Sequence, residues 1–161
     1  MFYQHTVQLM QERGVNLSEI AKVVYDLQLP YNPTLQINEC LESVEAVLKK
    51  REVQHAVITG IAIDILAEKK QLPEPFQTIM EVDEPLYGID EILALSITNV
   101  YGTIGLTSFG YLDKEKMGII RGLNNHGKEV HVFLDDLIAG IAAAASARIA
   151  HAHPDESRYQ D

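Results

Sequence analysis

Residues 132–150 read VFLDDLIAGIAAAASARIA, and this stretch decides the fold. Apolar or small side chains occupy almost every position, so a helix formed here has no face that prefers water and should be buried. Its alanines allow neighbouring helices to approach closely. Two adjacent carboxylates, Asp135 and Asp136, interrupt the apolar run. They repel each other and resist desolvation unless a cation or hydrogen-bond donors compensate them. We therefore expect at least one carboxylate to point inward.

Helical periodicity also dominates the rest of the chain, and no convincing alternating strand is found. The segment from about Val53 to Lys69 is apolar nearly all round and is predicted to be the central helix. Glycines at 102, 105 and 110 are expected to break or kink the chain, and a short segment should run from Lys114 to Leu123. We predict an all-α, compact single-domain bundle of about six to eight helices around a central buried helix. The domain should span residues 1–150, with a polar tail at 151–161. The other predicted helices run from about Phe2 to Arg13, from Asn16 or Ser18 to Pro30, from Asn38 to Lys50, from Ile89 to Val100 and from Glu129 to Ala150, and a short helix ending near Val82 follows the loop at 71–75.

The composition restricts the partners of the protein. Its 161 residues carry 23 acidic and 13 basic side chains, for a formal net charge of −10. This balance argues against nucleic acid, whose phosphates require a basic surface, and against electrostatic adhesion to anionic lipid. A single cysteine, Cys40, excludes an intramolecular disulfide and is expected in the core. Neither a signal peptide nor a membrane-spanning stretch is visible, so we predict a cytoplasmic protein, with peripheral contact at the inner face of the membrane at most.

A second acidic pair, Asp90–Glu91, repeats the pattern of carboxylates embedded in an apolar helix. Such pairs can assemble a divalent-metal site in a helical protein, but acids in a first turn can also merely complement the helix dipole. Asp90 alone is a plausible helix cap. Asp64 interrupts the most apolar helix, either as a further ligand or as a satisfied buried acid. His131 lies one turn before Asp135, on the same helix face; it could orient or join the site, but we expect it at the surface.

Charged side chains also lie between the two acidic pairs. Asp113, Lys114 and Lys116 are followed by His126, and a solvated loop is the default interpretation for them. Backbone N–H groups of the segment from Gly102 to Gly105 are candidate phosphate donors, but the segment fits no known phosphate-binding fingerprint, so packing is the favoured interpretation.

Four motifs then follow one another in order. They are Asp90–Glu91, Leu112–Asp113–Lys114, the Asn–Asn–His–Gly sequence at 124–127, and the Leu–Asp–Asp–Leu–Ile–Ala–Gly sequence at 134–140. This order resembles the phosphatidylglycerophosphatase A family, in its soluble Gram-positive branch that is also called low-temperature-requirement protein C. The resemblance covers roughly Gly60 to Ala150.

The resemblance implies a Mg²⁺-dependent phosphomonoesterase that converts phosphatidylglycerol phosphate to phosphatidylglycerol and phosphate. Asp90, Glu91, Asp113, Asp135 and Asp136 would carry the family's acids. On this hypothesis Asp90, Glu91, Asp135 and Asp136 bind Mg²⁺ through oxygen. Lys116 or His126 steadies the phosphoryl oxygens, His126 protonates the leaving group, and Asp113 acts as base, ligand or orienter.

Two alternatives remain open from the sequence. The chain could be a non-catalytic metal-binding helical protein, or a helical nucleotide pyrophosphohydrolase, for which Glu39–Cys40–Leu41–Glu42 is a partial match. The expected substrate is a phosphate ester, lipid-borne if the resemblance holds in full, and a homodimer is compatible with the apolar helix faces.

Overall fold

A computed structural model describes residues 2–123 and 129–152 of the protein. Within these residues it contains helices and no strand, which confirms the predicted all-α class. The described residues contain nine α-helices, one more than the upper predicted number, because residues 103–115 form a helix where glycines were expected to break the chain. The α-helices are α1 (Tyr3–Glu12), α2 (Leu17–Gln28), α3 (Ile37–Leu48), α4 (Arg51–Glu68), α5 (Phe76–Glu81), α6 (Ile89–Thr98), α7 (Thr103–Glu115), α8 (Ile119–Leu123) and α9 (Leu134–Ala152).

The first helices begin and end where local chemistry predicts. Gly14, just beyond α1, has a φ of +83°, a conformation that glycine adopts without steric cost. The Glu19 carboxylate accepts a hydrogen bond from the backbone N–H of Asn16, which precedes α2, and Glu39 does the same for Gln36 before α3. Cys40 is fully buried, as predicted.

The central helix is α9, which is buried continuously from Leu134 to Ala147. It contacts α2, α3, α4, α6, α7 and α8, so the bundle forms around it. The prediction that the helix near Val53–Lys69 is central is wrong, because α4 keeps an exposed face. Both segments are strongly apolar, but only α9 has the small side chains that let helices approach from every side. The exposed residues of α4 include His55, Thr59, Ala62 and Leu66.

Glycine permits two of the closest helix contacts with α9. A Cβ added at Gly140 would lie 2.9 Å from the backbone oxygen of Ala94 in α6. A Cβ at Gly60 in α4 would lie 2.5 Å from the side chain of Leu137. The absence of a side chain therefore brings α4 and α6 directly against the first turns of α9, where the acidic pair lies.

The segment after Gly102 is more regular than predicted. Gly102 has a φ of +76° and separates a short 3₁₀ helix (Asn99–Tyr101) from α7, but α7 continues through Gly105 and Gly110 as one helix. The expected break at these two glycines, and the start of a new segment at Lys114, are therefore wrong. A Cβ at Gly105 would lie 3.0 Å from the backbone oxygen of Thr98, so this glycine serves packing, as favoured above.

Within residues 2–123 and 129–152, every helix is too short or too polar to cross a bilayer. The predicted polar tail falls largely on residues 153–161, which lie outside the described part of the chain.

Candidate functional site

A cavity of about 300 Å³ opens where the start of α6, the end of α7 and the start of α9 meet. Of its ten described lining residues, seven are acidic and one, Lys116, is basic. The lining residues are Asp83, Glu84, Pro85, Asp90, Glu91, Asp113, Lys116, Val132, Asp135 and Asp136. The two acidic pairs, which are more than 40 positions apart in the sequence, therefore face a common space.

Each helix contributes its acids from a terminus. Asp135 and Asp136 lie in the first turn of α9, and Asp90 and Glu91 lie in the first turn of α6. Gly88, with a φ of +71°, is the residue that turns the chain into α6, so Asp90 is not the cap. Two helix N-termini thus present their positive ends beside the carboxylates.

Asp64 has a different role. Its carboxylate in α4 accepts hydrogen bonds from the backbone N–H groups of Phe133 and Leu134, each at 3.0 Å. These groups would otherwise be unsatisfied at the start of α9. Asp64 is fully buried and does not line the cavity. Of the two interpretations left open for it, the structure supports the satisfied buried acid.

Two further side chains, Arg13 and Glu68, hold the segment that leads into α9. Arg13 Nη2 donates to the carbonyl oxygen of Val130 at 2.7 Å, and the Val130 N–H donates to Glu68 Oε1 at 3.2 Å. Arg13 and Glu68 also form an ion pair at 3.0 Å. This clamp and the Asp64 cap fix the backbone directly before Asp135, so the position of the acidic pair depends on both.

Lys116 is the only described basic group at the cavity. Its Nζ lies 3.1 Å from Asp113 Oδ1 and 3.2 Å from Asp135 Oδ2, which joins the end of α7 to the start of α9. Burial opposes the charged ammonium, but the charges of Asp135 and Asp113 outweigh it and hold the pKa of Lys116 above its ordinary value.

Burial and mutual repulsion dominate the electrostatics of the acids. Desolvation raises the pKa of Asp135, and Lys116 counteracts part of that effect. Desolvation also raises the pKa of Asp136, and the charges of Asp135 and Asp90 raise it further. The pKa of Glu91 is raised by desolvation and then by Asp113 and Asp90. The carboxylates are thus more numerous than one ammonium can neutralise.

The carboxylate oxygens of the cavity are suitable ligands for a hard divalent cation. Carboxylate oxygens are the ligands that Mg²⁺ prefers, and Asp136 is 4% exposed with no hydrogen-bond donor to its carboxylate among the described residues. Its backbone N–H donates to Asp135 Oδ1 at 2.9 Å. Within the described residues, however, no group of three or more His, Cys, Asp or Glu side chains is already arranged to hold a metal ion.

The cavity brings together six of the seven residues predicted for the site: Asp90, Glu91, Asp113, Lys116, Asp135 and Asp136. The seventh, His126, lies outside the described residues. The expectation of a surface position for His131 is wrong, because it is buried with Nε2 2.9 Å from Glu129 Oε2.

Sequence reasoning missed two acidic lining residues, Asp83 and Glu84. They precede Pro85 in the loop between α5 and α6, and Asp83 has a φ of +49°. The signal that was available is the acid-rich run Glu81–Val82–Asp83–Glu84 directly before a predicted turn and the second acidic pair. The partial pyrophosphohydrolase motif is not at the cavity, because Glu39 and Glu42 lie on α3 and are not among the lining residues.

An all-α bundle with an acid-lined cavity at the N-terminal end of its central helix defines the class of this protein. The family model of phosphatidylglycerophosphatase A matches residues 7–151, and the chain belongs to that family. Membership suggests a phosphatase activity, and the family is in general metal-dependent.

Relatives and solved structures agree with this assignment. The chain is 57% identical over 159 residues to the uncharacterized protein YpjQ of Bacillus subtilis, covering 97% of this chain and 90% of the relative. It is also 57% identical over 143 residues to the uncharacterized protein YutG of the same organism, covering 88% and 86%. The crystal structure of the low temperature requirement C protein from Listeria monocytogenes superposes with a TM-score of 0.93 at 52% identity, covering 96% of this chain and 98% of that one.

Proposed function

We propose that this protein is a Mg²⁺-dependent phosphomonoester hydrolase that acts on phosphatidylglycerol phosphate. The single observation that carries the proposal is the convergence of Asp135 and Asp136 with Asp90 and Glu91 on one cavity that also holds Lys116. The membership of the chain in the phosphatidylglycerophosphatase A family supports the reaction class and the substrate.

The proposed cation ligands are Asp90, Glu91, Asp135 and Asp136. A bound Mg²⁺ supplies charge neutralisation of the phosphate, a more acidic water and stabilisation of the leaving oxygen. Asp136 is the principal ligand. Its buried carboxylate has no hydrogen-bond donor among the described residues, so a bound cation stabilises it most. The N-termini of α6 and α9 hold these carboxylates in place with their own positive ends.

The remaining cavity residues act on the phosphoryl group. The Lys116 ammonium binds its oxygens by charge-assisted hydrogen bonds, and Asp113, 3.1 Å away, orients that ammonium. His126 remains the proposed acid that protonates the leaving alkoxide. Attack on phosphorus by water and attack by a carboxylate would use the same ligands.

A lipid-borne ester is favoured over a small one by the surface beside the cavity. Four exposed apolar side chains lie in the loop and first turns that also supply Asp83, Glu84, Asp90 and Glu91. Leu86 is 91% exposed and directly follows the lining residue Pro85. Such a group suits contact with acyl chains while a phosphate enters the acidic cavity. The four are Val82, Leu86, Ile89 and Ile92.

The test is release of inorganic phosphate with and without Mg²⁺, comparing phosphatidylglycerol phosphate in micelles with glycerol phosphate. We expect Mg²⁺-dependent release from the lipid and at least about tenfold slower release from glycerol phosphate, since remote binding energy is lost with the acyl chains. Leu86→Ser should slow turnover of the lipid alone. Tyr31→Ser is the control, because Tyr31 is 80% exposed but does not line the cavity.

A non-catalytic metal-binding role is the outcome if Mg²⁺ raises thermal stability while neither ester is hydrolysed. Release of pyrophosphate from nucleoside triphosphates would favour the nucleotide pyrophosphohydrolase instead. Either result would contradict the proposed activity.

A further inference from the structure

Lys116 occupies an unusual position at the cavity. It follows the last turn of α7 with a φ of +48°, a left-handed conformation that residues with a Cβ rarely adopt. From there its ammonium lies 3.1 Å from Asp113 and 3.2 Å from Asp135, with 28% of the side chain exposed. The backbone of α7 therefore ends so that one cation is placed between carboxylates of two helices.

The Lys116 ammonium neutralises only part of the negative charge of the cavity. Seven acidic residues line the cavity with Lys116, and the buried Asp136 carboxylate, at the next position to the paired Asp135, has no donor among the described residues. A divalent cation that binds Asp136 and Asp135 must approach the same Asp135 carboxylate that Lys116 contacts. Two cations at one carboxylate repel each other, so their binding is competitive.

We propose that Lys116 competes with Mg²⁺ for Asp135 and, once displaced, becomes the binding group for the phosphoryl oxygens, so that cation binding and phosphate binding are coupled. This inference rests on the proposed function and deepens it. The four-carbon stem of lysine lets the ammonium move while the backbone stays in place. Asp113, on the same helix end, stays within its reach and guides it.

The proposed coupling predicts how removal of the Lys116 ammonium changes Mg²⁺ affinity. If the ammonium must leave Asp135 before Mg²⁺ binds fully, its removal strengthens Mg²⁺ binding in the absence of phosphate. If the displaced ammonium then binds phosphate, its removal weakens the mutual enhancement of Mg²⁺ and phosphate, which thermodynamic linkage makes reciprocal.

The test is calorimetric titration of the full chain with Mg²⁺, with and without saturating inorganic phosphate. We expect Lys116→Met to bind Mg²⁺ about tenfold more tightly than wild type without phosphate. We also expect phosphate to enhance Mg²⁺ binding less in this variant than in wild type. Lys116→Arg, which keeps the charge, should stay close to wild type.

Lys114→Met is the matched control, because Lys114 is exposed in the last turn of the same helix and does not line the cavity. It removes the same charge and should change Mg²⁺ affinity less than about twofold at physiological ionic strength. Lys116→Gln is measured in parallel with Lys116→Met, and circular dichroism checks that both fold.

Unchanged or weaker Mg²⁺ binding in the folded Lys116 variants would overturn the proposal, and so would an unchanged enhancement by phosphate. Unfolding of both variants would overturn it too, since Lys116 would then serve the fold. If wild type releases phosphate in a Mg²⁺-dependent manner but Lys116→Met binds Mg²⁺ no more tightly, only this inference fails. If wild type binds no Mg²⁺, the proposed function fails as well.

Discussion

Asp64 in α4 caps the N-terminus of α9 from 70 positions away in the sequence, with its Oδ2 3.0 Å from the backbone nitrogen of Leu134. A second bond from the Phe133 N–H to Oδ1 completes the cap. Most helix caps are supplied by the residue that precedes the helix. Here a separate helix supplies it, so the start of α9 and the direction of Asp135 and Asp136 are fixed by tertiary structure.

Replacing Asp64 by alanine should leave two buried N–H groups without an acceptor. We expect the free energy of unfolding to fall by about 2 kcal/mol, part of the loss being offset by relief of the desolvated carboxyl. Asp64→Asn keeps one acceptor and should lose about half as much. Urea denaturation at neutral pH measures both. Asp26→Ala, which removes an exposed carboxylate 3.9 Å from Lys22, is the control and should lie within about 0.5 kcal/mol of wild type. A loss at Asp64 no larger than at Asp26 would contradict the capping role.

Gly140 and Gly110 form a pair with opposite expected effects. Alanine at Gly140 places a Cβ 2.9 Å from the Ala94 backbone oxygen, so α6 and α9 must separate, and we expect a loss of about 1–3 kcal/mol. Alanine at Gly110, in the exposed middle of α7 with nothing within 4 Å of its Cβ, should stabilise the protein by about 0.5–1 kcal/mol. Thermal unfolding of the two variants checks the signs. A stabilised Gly140→Ala would show that the two helices do not depend on this contact.

The sequence predicts the class of the fold and the inward direction of the acidic pair for a simple reason. A helix with apolar neighbours on all sides leaves Asp135 and Asp136 no exposed face, whatever the topology. The grouping of Asp90, Asp113 and Asp136 at one site is implied by the resemblance of the ordered motifs to the phosphatidylglycerophosphatase A family, and all three residues line the cavity.

Other features depend on contacts that local patterns do not contain. The role of Asp64 requires knowing that Leu134 lies beside it. The continuity of α7 depends on packing that overrides the weak helix propensity of its glycines, and Gly105 is required by its contact with Thr98. His131 is buried, with its Nε2 2.9 Å from Glu129 Oε2, although a surface position was expected.

The ion pair between Arg13 and Glu68 should make the stability of the protein depend on pH. The hydrogen bond and charge of Arg13 hold the pKa of Glu68 below its ordinary value. A carboxyl whose pKa is lower in the folded state stabilises the protein above its unfolded pKa of about 4.3, and this contribution is lost as pH falls through the folded pKa. Wild type should therefore unfold at a higher temperature than Glu68→Gln at pH 7, and the difference should shrink below about pH 4. A difference that is constant from pH 7 to pH 3 would contradict the lowered pKa.

Asp136→Asn tests the principal proposed ligand. The amide keeps the shape of the side chain but loses the charge that a cation requires. We expect Mg²⁺-dependent phosphate release to fall by more than the roughly 10–100-fold that loss of an outer-shell partner causes. The helical circular dichroism spectrum should be unchanged. Thermal stability without Mg²⁺ should rise, because burial and the charge of Asp135 raise the pKa of Asp136 on folding, and the uncharged amide avoids that cost. Glu42→Gln on α3, away from the cavity, should retain full activity. Undiminished turnover by Asp136→Asn would remove this residue from the reaction.

The position of a bound cation is the most direct test of the account. Crystals grown with Mn²⁺ in place of Mg²⁺ give an anomalous signal that locates the ion without reference to activity. The account predicts a peak in the cavity, coordinated by oxygens of Asp136 and Asp135 together with Asp90 or Glu91. Peaks confined to the outer surface, with none among the cavity acids, would contradict it.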